Sequence, residues 1–189
     1  MTLDTDQIVT VVTTGNRASS ASGTVMELDL SRFQTGRWAL QLDGVFAKRT
    51  QPVCVVAHGV AALAVAWWAQ LSPRSYMKSI RGAIFVAPLS IGLGQDGIAA
   101  AARRGPITQL PFPSLVAASS DFGAEQVRTF ADGWGSYLIG FSSGGSERHA
   151  SPIEAELVDI LASMNAVPPL GQISSLGTVG ITQMNLNVG

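Results

Sequence analysis

With 189 residues, 47% of them hydrophobic and 13% charged, the chain is long enough to close one core and too apolar to stay disordered. A formal net charge of −1, with Lys48 and Lys78 as the lysines, excludes an electrostatic bias toward nucleic acid or an anionic membrane. The single cysteine, Cys54, excludes an intrachain disulfide and a multi-cysteine metal site.

Met1-Thr2-Leu3-Asp4-Thr5-Asp6 is acidic and lacks the basic and apolar regions of a signal peptide. The longest apolar stretch, residues 60–68, is too short to span a bilayer. A soluble cytoplasmic protein is expected. The first strand is read over residues 8–13, followed by a loose polar stretch, 14–23, and a second strand, 25–30. Trp38, Leu42, Val45 and Phe46 recur at helical spacing, and that helix ends before Gln51-Pro52. Residues 52–57 form a third strand, apolar on both faces as a central parallel strand is. A helix over 59–71 follows at once and is stopped by Ser72-Pro73.

The fourth and fifth strands are read over 83–87 and 114–118, with an insertion, 90–113, between them that carries a short helix near 98–104. A helix over 124–134 precedes a sixth strand, 137–141. Ile153, Leu157, Ile160, Leu161 and Met164 share one face of a last helix. Alternation of this kind implies an α/β domain over residues 1–164, its mostly parallel sheet covered on both faces. Functional groups in such sheets collect at the carboxyl ends of the strands, here after Ala57, Ser119 and Phe141. The tail, 165–189, is rich in Gly, Ser and Asn with Val179, Ile181, Met184, Leu186 and Val188 at short spacing. It is expected to dock, as an edge strand or against a partner subunit in a homo-oligomer, ahead of fraying.

Val53-Cys54-Val55-Val56-Ala57-His58-Gly59-Val60-Ala61 is a buried strand turning sharply into a helix. A nucleophile elbow belongs at such a junction, with small residues two positions either side of the nucleophile because strand and helix pack closely. Ala57 and Ala61 meet that requirement; the central position is Gly59. Glycine keeps the turn and relaxes it, since it has no Cβ to strain, but it carries no nucleophile. On the local motif alone, an ordinary strand-to-helix turn fits equally well.

Two blocks resemble one family. They are Pro111-Phe112-Pro113-Ser114-Leu115-Val116-Ala117-Ala118-Ser119-Ser120-Asp121 with the helix after it, and Val55-Val56-Ala57-His58 running into Leu63-Ala64-Val65-Ala66-Trp67-Trp68. Both are similar to the small α/β-hydrolases related to retinoblastoma-binding protein 9, serine hydrolases of esterase type. The resemblance covers about residues 25–164. It implies a three-layer α/β-hydrolase-like domain of about six strands in the order 2-1-3-4-5-6. It also implies that Asp121 is the triad acid, whose alternative is an N-cap for the following helix. The family's Gly-His pair after the last strand matches Gly145-Ser146, so the histidine is either replaced by Ser146 or displaced to His149. His149, beside Glu147 and Arg148, also reads as a solvated loop residue. The family's first Pro-Gly loop and its helix with a His-Trp pair have no counterpart. Thr14-Gly15-Asn16 leads through Ser19-Ser20-Ala21-Ser22-Gly23 straight into the next strand.

Losing serine or histidine removes most triad chemistry, whereas the amides of Val60 and Ala61 at a helix N-terminus still favour an anion or a polarised carbonyl oxygen. The expectation is therefore a hydrolase-derived domain without ordinary serine catalysis. It would bind a small acyl, carbonyl or anionic ligand near His58, Val60, Ala61 and Asn16. The rival is a working enzyme with a relocated serine (Ser142, Ser143, Ser146, or one of Ser19, Ser20 and Ser22), His149 as base and Asp121 as its partner. A third reading is an oligomeric structural protein built through the tail. No cofactor is expected: Gly92-x-Gly94 lacks a strand-to-helix context, and the two histidines lie far apart.

Overall fold

The computed structural model describes residues 7–14, 23–31, 33–89, 105–106, 108–119, 124–141, 157 and 159–160. Strand β1 (Ile8–Thr13) is buried at every position, as its unbroken β-branched run requires of a strand with a neighbour on each side. β2 (Thr24–Leu28) alternates, burying Met26 and Leu28 and exposing Thr24, Val25 and Glu27, as a strand at a sheet margin does. With β3 (Val53–His58), β4 (Ile80–Val86), β5 (Ser114–Ser119) and β6 (Tyr137–Phe141) they form one six-stranded sheet, order β2-β1-β3-β4-β5-β6. Every neighbouring pair is parallel.

The two faces separate by the period-2 rule. Val53, Val55 and Ala57 of β3, Phe85 of β4 and Val116 of β5 enter the larger core. Cys54, Val56, Ile84, Leu115 and Ala117 enter the smaller one on the opposite face. Three helices fill the larger core: α1 (Arg37–Phe46), α2 (Val60–Leu71) and α4 (Ala124–Trp134). Trp38, Leu42 and Phe46 form the buried stripe of α1. In α2, nine of 12 residues are buried, and an alanine-rich surface lets it lie close to the sheet. Gly135, at φ 67°, ends α4: Ser136 N–H donates to the Ala131 carbonyl at 2.8 Å and Gly135 N–H to that of Asp132 at 3.2 Å, a Schellman cap.

Several boundaries differ from the sequence reading. β4 begins at Ile80 because the ladder slips between Val53 and Cys54: Val53 pairs with Ile80 and Cys54 with Gly82, leaving Arg81 as the extra residue. β2 stops at Leu28, after which the Asp29 carboxylate accepts from Ser31 N–H and ends the extended run. A short helix, α3 (Arg74–Met77), follows Pro73. Of the last helix, Leu157 is buried in the smaller core, whereas Ile160 is exposed, at the margin of the stripe rather than within it. The short helix near 98–104 and the tail, 165–189, lie outside the described residues.

Candidate functional site

The chain turns most sharply where β3 becomes α2. β3 sits between β1 and β4, and the strand order reverses between β1 and β3, which is where open parallel sheets place their ligand crevice. Gly59 N–H donates to the Val86 carbonyl at 2.9 Å, extending the β3–β4 ladder one residue past the strand. Gly59 itself has φ 56° and ψ −134°, a conformation that any side chain makes costly. Its carbonyl then accepts from Ala62 N–H at 3.0 Å, starting α2. No side chain caps this helix, and among the described residues nothing outside it accepts from Val60 or Ala61 N–H. Both residues are buried, so these two amides are dehydrated donors at the positive end of a helix dipole.

Ala57 and Ala61, flanking the turn, are fully buried. Any larger side chain at either position would push α2 off the strand. His58 follows Ala57 in alternation and therefore shares the face of Cys54 and Val56, opposite to α2. Burial lowers its pKa from 6.5, which keeps the imidazole neutral at neutral pH. Cys54 is buried, and desolvation pushes its thiol up to about 12 against a smaller opposing pull from Arg81, so it is no nucleophile.

The neighbouring strand contributes a feature that sequence reasoning missed. Ala87, next after β4, has φ 45° and donates its N–H to the Ala117 carbonyl at 2.7 Å. An alanine in left-handed backbone beside the Gly59 turn is held there by that bond. No sequence signal marks it: the following Pro88 favours extended backbone at the preceding residue, not a positive φ. Trp68 belongs to the core, stacked on Phe46 at 4.9 Å and donating its indole N–H to Asp43 at 2.8 Å. Trp67 is half-buried, and its indole N–H has no acceptor among the described residues.

The structure thus places Gly59, Val60 and Ala61 at one turn, with His58 facing the opposite side of the sheet. Asn16, Asp121, Ser146 and His149 lie outside the described residues, as do Ser19, Ser20, Ser22, Ser142 and Ser143. Among the described residues, no three His, Cys, Asp or Glu side chains gather as a metal site, and no helix is long and apolar enough to cross a membrane.

A parallel sheet in this order, with helices on its faces, defines an α/β-hydrolase-type domain. The chain belongs to the serine hydrolase family, whose sequence profile matches residues 13–152. No curated protein matches it in sequence. Among solved structures it is similar to one described as a YdeN-like hydrolase from Pectobacterium atrosepticum. That likeness has 20% identity and a TM-score of 0.56, covering 82% of this chain and 92% of that one. A variant of tomato methylketone synthase I complexed with beta-ketoheptanoate is 10% identical with a TM-score of 0.52, covering 85% of this chain and 98% of that one. Both likenesses concern the fold.

Proposed function

We propose that this domain descends from small serine hydrolases related to retinoblastoma-binding protein 9 and has given up ordinary serine catalysis. In its place it holds a small acyl, carbonyl or anionic ligand at the head of α2. One observation carries the reading: Gly59, with φ 56° and ψ −134° at the exit of a central strand, keeps the sharp turn that presents a nucleophile in this fold while offering no oxygen. Removing the serine of a catalytic triad costs on the order of 10⁶ in kcat, because the triad acts as a unit. The two buried amides of Val60 and Ala61 do not depend on that serine. They favour negative charge on a ligand oxygen whether or not a covalent bond forms.

In this reading Asp121 is an inherited acid, and Ser146 stands where the family has its histidine. Neutral His58 supports the strand exit from the far side of the sheet. The test is labelling of the full chain with a fluorophosphonate, alongside turnover of p-nitrophenyl acetate. No labelling and no turnover above the buffer rate are expected. Stoichiometric labelling of any serine would overturn the proposal and favour a relocated serine working with His149 and Asp121. On the binding side, titrating butyrate into ¹⁵N-labelled protein is expected to shift the Val60 and Ala61 amides first.

A further inference from the structure

At the opposite end of the sheet, α3 and the segment leading into β5 enclose an open hollow of about 540 Å³, lined by Arg74, Met77, Lys78, Gln109, Leu110 and Pro111. α3 immediately precedes β4 and residues 109–111 precede β5, so this hollow lies at the amino-terminal ends of those strands. Seven residues of β4 place it roughly 20 Å from the Gly59 turn. It is distinct from the Gly59 turn.

Its walls are fixed. Leu110 N–H donates to the Trp134 carbonyl at 3.0 Å, and the Gln70 side-chain amide donates to the Thr108 carbonyl, tying the wall to α4 and α2. Gln109 packs across Gly135, where an added Cβ would meet its Cγ at 3.0 Å. Met77 and Leu110 are buried and give the hollow an apolar floor. Arg74 and Lys78 stand one helical turn apart at its rim, both exposed, and neither meets a carboxylate among the described residues. Lys48, Arg49 and Arg81 also fall at this end of the sheet, in or beside the starts of β3 and β4. Asp43 accepts from the Trp68 indole N–H, and Asp132 lies in the last turn of α4.

We infer that this hollow binds a small organic dianion of the phosphomonoester class. The Arg74 guanidinium supplies a planar fork matched to phosphate oxygens, and the Lys78 ammonium neutralises the second charge. Gln109 offers an amide donor, and the Met77–Leu110–Pro111 floor receives the ester's apolar part. A monoanion leaves one cation unmatched, and a bare phosphate leaves the floor uncovered.

The experiment titrates phenyl phosphate and inorganic phosphate, separately, into the ¹⁵N-labelled full chain. Saturable shifts of the Met77, Lys78 and Leu110 amides are expected, with phenyl phosphate binding several-fold tighter than phosphate. The double variant Arg74→Ala, Lys78→Ala, whose side chains are exposed and outside both cores, is expected to weaken binding by at least about tenfold while leaving the rest of the spectrum in place. No saturable shift, unchanged affinity in the double variant, or shifts centred on Val60 and Ala61 would each overturn the inference. The fluorophosphonate result bears on the Gly59 site alone, so the two proposals stand or fall separately.

Discussion

Gly59 carries its backbone geometry without strain only because it lacks a Cβ. Replacing it with alanine is expected to lower stability by about 1–3 kcal/mol, read as the shift in a urea unfolding curve. A change within a few tenths of a kcal/mol would show that the turn adopts another conformation in solution. His58 gives a pH signature whose sign follows from burial. The folded chain refuses a proton that the unfolded chain accepts near pH 6.5. That stability increment is complete above pH 6.5 and is lost as pH falls from there through the lower folded value. The urea midpoint should therefore drop between pH 7.5 and 5.5, and His58→Gln should flatten that part of the profile. Cys54, its thiol pushed up to about 12, should react with Ellman's reagent at pH 8 only after urea unfolds the chain.

Among the elements, α2 is the one whose packing most directly supports the turn. Leu63→Ala removes a side chain that is 1% exposed between helix and sheet, and a loss of about 2–5 kcal/mol is expected in the same unfolding assay. The β3–Gly59–α2 junction was legible in sequence because both elements are buried nearly throughout, so pattern and environment agree. The start of β4 was not. The sequence reading begins that strand at residue 83, whereas Ile80-Arg81-Gly82 join it because a bulge lets β3 pair across Arg81. α3 escaped notice because four residues after Ser72-Pro73 carry no helical period of their own. Gly59, Val60 and Ala61, which the sequence reading places at one turn, lie at the junction of β3 and α2. The sequence could not show the left-handed Ala87 beside them, since that conformation is imposed by the Ala117 carbonyl from another strand.

For the molecule as a whole, one parallel sheet extends from β2 at one margin to β6 at the other, with a single bulge in the β3–β4 ladder among the described residues. Amide hydrogen exchange should be slowest in β1, β3 and β4, paired on both sides and buried on both faces. It should be fastest among the strands in β2 and in β6, where Tyr137 and Leu138 are exposed. Equal protection across all six would contradict the described order. That same order has a consequence for how the protein is made. β1, β2 and β3 leave the ribosome first and are already contiguous, with β1 in the middle; β4, β5 and β6 then each join the outer side of the strand translated just before them. After β3 takes its place, none of the described strands inserts between two already paired. The sheet lengthens in one direction as synthesis proceeds, so its hydrophobic interior can close progressively behind the growing chain.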